Sequence, residues 1–302
     1  MPPDPISEPV EPADGDAAAD DTALTNPIAE PFVLTLDSDA TSDLVSIEAT
    51  PEGAVTVTMN RPEKKNAFNA ELIGALRETF ETLRDQAALR VVFVQGAGGT
   101  FSAGADLEWM RDAVDFTEED NRDDAMRMAV MLKHLYDIPA LTVALVEGGA
   151  FGGGVGLAAA CDMAVAVKGA RFSFSEVKLG LVAATISPYV VSAIGPRRAR
   201  RLFSTGEVFG VEQAQAFGLV DEVVEDAAAL EAAKQRISAQ MVACAPGAVE
   251  ASKQLVAHII GRHLDQALMD HTARLIAARR VSDEGQAGVR AFLDGKKAPW
   301  AE

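Results

Sequence analysis

The sequence has only two cysteines among 302 residues, no long apolar run and no basic stretch near its start. Each absence excludes something. Cys161 and Cys244 stand far apart, so neither a disulfide framework nor a cysteine-rich metal centre is available. Both read as small buried residues in a reducing compartment. No segment approaches the roughly 20 apolar residues that a membrane-spanning helix needs. The first 44 residues contain eleven acids and no Lys or Arg, the reverse of a secretory or mitochondrial leader. Acids outnumber bases, 45 to 27, for a net charge of −18, and such a field repels nucleic acid, whose binding needs clustered cations. The expectation is a cytoplasmic protein that binds neither nucleic acid nor membrane.

Large apolar groups are also missing from the acidic start, which is rich in Pro, Ala and Thr. Residues 1–44 are therefore expected to form a solvated, disordered tail, because they cannot bury enough surface to offset the entropy of ordering. The remaining chain is different. Apolar residues make up 48% of the sequence, enough for a full core.

Order is expected from about Leu44. "VSIEA" and "AVTVTMN" alternate around "TPEG", a hairpin pattern. Asn69 caps a helix whose Leu72, Ile73, Leu76, Phe80 and Leu83 recur at helical spacing. "RVVFVQG", "LTVALVEG" and "DMAVAV" read as short buried strands, with a helix from Glu118 to Tyr136 between the first two. Strands alternating with helices imply parallel pairing through crossovers. "SPYVVSAIG" places Ser at an N-cap and Pro just inside a helix, and Pro196 opens another. After "LVDEVV" the pattern is helical near 226–243, 247–260, 263–280 and 284–294. The expectation is an α/β core over 45–225 and a C-terminal helical region, 226–302, that packs on its own core or serves subunit packing.

Two stretches share one design: a strand end, a small-residue loop, then a helix start. In "VQGAGGTFSAGADLEWM", Ser102 to Ala105 lead into a helix near Asp106. In "GGAFGGGVGLAAACDMAVA", Gly152 to Gly154 lead into "VGLAAA". The second is not a phosphate loop, since the lysine and hydroxyl after the glycines are missing, nor does it have the frame of a dinucleotide fingerprint. Small residues let a ligand reach bare backbone N–H groups, and helix starts leave such groups unpaired. Two such N–H groups meeting on one oxygen would make an oxyanion hole. Gly-rich strand-to-helix turns also arise for packing alone.

The stretches "NRPEKKNAFN", "FSAGADLEWM", "GGAFGGGVGLAAACDMAV" and "ARFSFSEVKLGLVAATISPYVVSAIG" resemble, in order and spacing, the crotonase (enoyl-CoA hydratase/isomerase) superfamily. The resemblance covers roughly residues 45 to 295. It implies a crotonase-like spiral of ββα units with a C-terminal helical region, assembled as a homotrimer or a dimer of trimers. It also implies an acyl-CoA thioester substrate, with coenzyme A part of that substrate and no further cofactor or metal. By position, Ala105 and Gly153 supply the oxyanion N–H groups and Glu176 is the acid/base. Ala103, Asp106, Gly152 and Gly156 are expected to line the thioester. Asp106 and Asp162 also read as helix-start and strand-start residues, and Glu108 and Trp109 are candidates for the acyl pocket. Lys296 and Lys297 are candidates for the CoA phosphates, in this chain's site or in a neighbour's.

One departure matters. Family hydratases with two glutamates place the second where this chain has Gly156. A lone Glu176 suits two reactions. Hydration of a short or branched 2-enoyl-CoA is the leading expectation, and a double-bond isomerase, which needs one proton shuttle, is the alternative. "GGGVGL", "SEVKLGL" and "ISPYVV.AIG" together resemble bacterial 3-methylglutaconyl-CoA hydratase-like members, whose acyl group has its own carboxylate. A non-catalytic acyl-CoA binder is the reading from a different class.

Overall fold

A computed structural model describes Phe32, Leu34 and residues 42–301. Among these residues, six strands form the main sheet. β1 (Val45–Ala49) pairs antiparallel with β2 (Ala54–Met59). β2, β3 (Val91–Gly96), β4 (Leu141–Val146), β6 (Met163–Val167) and β9 (Glu222–Val224) follow in parallel, in the order β1-β2-β3-β4-β6-β9. A smaller sheet holds β5 (Gly149–Phe151), β7 (Arg171–Ser173) and β8 (Val208–Gly210) in the order β5-β7-β8. Each of its strands is three residues long, too short to show a period-2 pattern, and none of them was legible as a strand in the sequence.

The two sheets generate a repeat. β4 runs into β5 and then α4 (Gly153–Ala160); β6 runs into β7 and then α5 (Ser187–Ile194). β3 starts the same course, with a single parallel bridge from Ser102 to Ala150 standing in for the short strand before α2 (Leu107–Asp112). This is the expected spiral of ββα units, and each turn of it puts a loop and a helix start on the same side of the molecule.

Alternation along the strands gives the main sheet two buried faces. Val92, Val94, Ala144 and Val146 pack with α1 (Ala70–Arg84) and α3 (Glu118–Tyr136) through Leu76, Phe80, Met131 and Leu135. Val91, Phe93, Val143, Leu145 and Val165 face the other way, onto Leu230, Ala233, Ile237 and Met241 of α8 (Ala227–Val242). Of the two partners open to the region from 226 onward, its own core and a neighbouring subunit, the first of its helices takes its own core. α8 closes this chain's own core. The later helices α9 (Pro246–Ile259), α10 (Gln266–Val281) and α11 (Asp283–Leu293) have no fully buried residue, and they and the α9–α10 connection expose Ile260, Leu264, Ile276, Val281 and Phe292.

Within the span expected to be a solvated tail, Phe32 is buried in the core and donates its N–H to the Pro51 carbonyl at 2.9 Å. The rest of residues 1–41 lies outside the described residues, apart from a half-buried Leu34. Ser187 is the first residue of α5 rather than its cap: its hydroxyl donates to the Ala184 carbonyl, and Ile186 occupies the cap position. Among the described residues, no helix is long and apolar enough to cross a membrane, and no cluster of three metal-ligating side chains forms.

Candidate active site

The spiral brings the two small-residue turns together by backbone hydrogen bonds. Phe101 N–H donates to Glu147 O at 3.0 Å, Ser102 N–H to Gly149 O at 3.1 Å, and Phe151 N–H to Ser102 O at 3.0 Å. Only a glycine fits at 104, where φ is +89° and a Cβ would lie 2.9 Å from the Phe151 carbonyl oxygen. Gly154 is equally confined, since a Cβ would meet Ser102 Cβ at 2.8 Å. The glycines are there so that one turn can lie against the other.

An inventory of N–H groups shows what each turn leaves free. In the first, Ala103 donates to Lys65 O at 2.9 Å and Asp106 to Phe68 O at 2.8 Å, while Gly104 donates to the Ser102 hydroxyl at 3.2 Å. In the second, Gly152 donates to Ser173 O at 2.9 Å, and Val155 and Gly156 both donate to Gly152 O. Among the described residues, no acceptor is present for the N–H of Ala105 or for those of Gly153 and Gly154 at the start of α4. Ala105 is exposed and Gly153 partly so, whereas Gly154 is buried against Ser102. Ala105 and Gly153 are thus unpaired donors that a ligand oxygen can reach.

Glu176 follows β7 and opens a single 3-10 turn, Glu176–Leu179. Its strand is tied to the triple-glycine turn by the Gly152-to-Ser173 bond. The carboxylate lies over that turn: a Cβ on Gly152 would be 3.1 Å from Glu176 Oε1. Gly152 itself has φ +50° and ψ −119°, a conformation that favours glycine. Glu176 Oε2 is buried and has no hydrogen-bond partner among the described residues. Burial pushes the carboxyl up from its ordinary value, opposed by a bond from its own backbone N–H. A half-buried acid with an idle oxygen, beside unpaired amide donors, is the pattern of a proton-transfer group.

The other expected site residues divide. Ala103 is exposed at the lip of the first turn. Asp106 is 4% exposed; one oxygen accepts from Glu108 N–H at 2.8 Å and the other from Arg61 at 3.0 Å. Its carboxylate is directed into the protein as a helix cap, so the expected substrate contact is corrected to a structural role. Gly156 is corrected as well. It is buried, and a Cβ there would lie 2.0 Å from Ile186 Cγ2, so Ile186 fills the space a second glutamate would need. Glu108 is exposed and paired with Lys64 at 3.1 Å, and Trp109 packs partly on the core. Asp162 binds Thr142 and Lys253, tying α9 to the strand start. Lys296 and Lys297 are exposed beyond α11, with Lys296 paired to Asp294; neither forms a hydrogen bond to the turns.

Three contributors were not legible from spacing. Ile186 sits in an apolar stretch that reads as helix, and only the packing places it over Gly156. Asp124 is half-buried on α3, one turn before the Met128 that a Cβ on Gly153 would meet at 2.9 Å. Burial pushes the Asp124 carboxyl up, against opposing effects of Arg127 and the Trp109 indole. The third contributor is the buried pair Arg61 and Asn66.

Residues 49–302 match the family model described as enoyl-CoA hydratase/isomerase. A solved structure from Legionella pneumophila, of the enoyl-CoA hydratase/isomerase (crotonase) type, is 44% identical with a TM-score of 0.80. The match covers 85% of this chain and 98% of that one. AtuE of Pseudomonas aeruginosa is 36% identical, with a TM-score of 0.82, over 86% of this chain and 100% of its own. Among curated proteins, the enoyl-CoA hydratase AKT6-1 of Alternaria alternata is 32% identical over 251 residues, which are 81% of this chain and 80% of that protein.

Proposed function

The chain belongs to the enoyl-CoA hydratase/isomerase family, and from that premise we propose that it hydrates a short or branched 2-enoyl-CoA at the Ala105–Gly153–Glu176 site. The observation that supports this most directly is the pair of unpaired N–H groups on two abutting turns, with the Glu176 carboxylate over one of them. The thioester carbonyl oxygen accepts from both. Glu176 takes a proton from water as the oxygen adds to C3, and charge moves onto the carbonyl oxygen as an enolate. Fixed amide donors stabilise that charge without reorganising, and one such donor is worth about 3 to 4 kcal/mol. The proton then goes to C2, and Glu176 returns to its ionised form. The reaction needs no metal and no cofactor beyond the coenzyme A carried by the substrate.

Because Ile186 keeps a second acid out, the water needs another anchor. An acyl group with its own carboxylate, such as 3-methylglutaconyl-CoA, supplies one. The same observation favours a second reading, a 3-enoyl-CoA to 2-enoyl-CoA isomerase. There Glu176 carries one proton between C2 and C4 and no water has to be held. Loss of enoyl absorbance with 3-methylglutaconyl-CoA and crotonyl-CoA tests the first reading. Inertness toward both, with turnover of a 3-enoyl-CoA, would replace it with the second.

Further parts of the reading concern assembly and address. The apolar groups exposed on α9 to α11 fit packing against other copies in a homotrimer or a dimer of trimers, in the cytoplasm. Sedimentation at micromolar concentration should show a species of three or six chains.

A further inference from the structure

Among the described residues, four of the eight buried polar or charged ones are Arg61, Asn66, Ser102 and Asp106, and the reaction above uses none of them. Burying such groups is unfavourable unless every one finds a partner. All four do, and the partners converge on the loop before α2. Asn66 Nδ2 donates to Ala97 O at 2.9 Å and Thr100 O at 2.7 Å, and its Oδ1 accepts the Arg61 N–H at 2.9 Å. The Ser102 hydroxyl donates to Asn66 O at 2.8 Å and accepts from Gly104 N–H. Phe68 N–H donates to Gly104 O at 2.7 Å. The Arg61 guanidinium donates to Ala67 O at 2.6 Å and to Asp106 at 3.0 Å, bridging the two segments.

The backbone in this segment is strained. Lys65 and Asn66 have φ of 51° and 53°, a left-handed conformation that a lysine disfavours and an asparagine tolerates. Such strain persists where the surroundings over-determine it, and it clusters at functional sites. Here the segment takes the N–H of Ala103 on Lys65 O and that of Asp106 on Phe68 O, and Asn66 O orients the Ser102 hydroxyl that takes the N–H of Gly104; that of Ala105 is left without an acceptor among the described residues.

Resting on the oxyanion reading above, we propose that Arg61 and Asn66 are positioning residues that hold the Ala105 N–H at the thioester oxygen. They touch no substrate. They act through Asp106, Ser102 and the 65–68 backbone, so that the one free donor is fixed rather than drawn from a moving loop.

The test uses the full chain and two variants chosen to fold. Arg61→Lys keeps the charge but loses the two-pronged bridge. Asn66→Gly relieves the positive φ while removing the side-chain bonds. Each should lower kcat on crotonyl-CoA about 100-fold, the size of a small misplacement at a reacting centre, with KM within about threefold. That split marks an interaction made in the transition state. The second readout is the carbonyl infrared stretch of carbonyl-13C crotonyl-CoA bound to Glu176→Gln, whose slowed turnover leaves the bound substrate observable. The stretch should fall in frequency on binding to Glu176→Gln, and fall less when either positioning variant is added. Wild-type kcat together with an undiminished shift would overturn the inference. No shift in Glu176→Gln itself would instead overturn the oxyanion reading. Should either variant fail to fold, the other decides; should both fail, Asn66→Ser is read in the same way.

Discussion

The two turns deliver one backbone N–H each and are held in opposite ways. The turn at 96–106 is fixed by side chains: the buried Arg61 guanidinium and Asn66 amide grip it from outside, and its own Ser102 hydroxyl and Asp106 carboxylate reach back to that segment. The turn at 148–156 has no such grip. It is shaped by glycines whose missing Cβ atoms let Phe68, Met128, Ser102 and Ile186 close directly on the backbone. A helix start in the second turn leaves N–H groups free by its nature, so close packing is enough. In the first, the free N–H precedes the helix cap by one residue, and the neighbouring amides have to be tied off separately. Polar bonds do in one turn what close contact does in the other.

The comparison can be broken in steps of decreasing size. Glu176→Gln should lower kcat about 10³-fold, within the range for a positioned acid/base, because it removes the one proton carrier both turns serve. Stopped-flow assay of enoyl absorbance measures this. Removing Arg61 altogether, as Arg61→Ala, leaves Asp106 buried without its cation and should cost about 3 to 5 kcal/mol of stability, read by denaturant unfolding. Gly156→Ala attacks the other turn by overpacking against Ile186 and should cost about 1 to 3 kcal/mol. Ile186→Ala in the same chain should recover part of that loss, which a double-mutant cycle would detect. Smallest of all, Glu108→Gln breaks an exposed pair with Lys64 and should change stability by less than about 0.5 kcal/mol.

Titration separates the site from its scaffold. The Glu176 carboxyl lies above its ordinary range because burial disfavours the charged form. Ionisation therefore costs folding free energy as pH rises from the unfolded value through the raised folded one. At pH 7, then, Glu176→Gln should melt higher than the parent chain while losing activity. For Asp106, burial pushes upward, but the Glu108 amide and Arg61 outweigh it, so the net shift is downward. Its contribution to stability is present above the unfolded carboxylate value and is lost as pH falls through the lowered folded one. Arg61→Ala should therefore flatten the acid limb of a stability–pH curve.

Much of the fold was legible. Strands long enough to alternate or to run apolar, such as β2, β3 and β4, and helices with caps, such as α1 after Asn69 and α3 after Thr117, follow from local chemistry that the structure retains. The three-residue strands of the second sheet were not legible, because their pairing is set by the spiral and not by any pattern of their own. Small residues pointed to the turns at 102–105 and 152–154, and the resemblance singled out Ala105, Gly153 and Glu176 and gave them roles. Gly156 and Asp106 were misplaced for a shared reason. Sequence proximity to a turn does not say what a residue packs against: Gly156 lies buried beneath Ile186, and the Asp106 carboxylate turns inward onto Arg61.

The central claim is that both turns grip one oxygen, and a crystal structure of Glu176→Gln with a bound 2-enoyl-CoA tests it directly. The thioester oxygen should lie about 3 Å from the nitrogens of both Ala105 and Gly153, with the side chain at 176 beside C2 and C3. A thioester held by only one of these amides, or bound away from both, would contradict it.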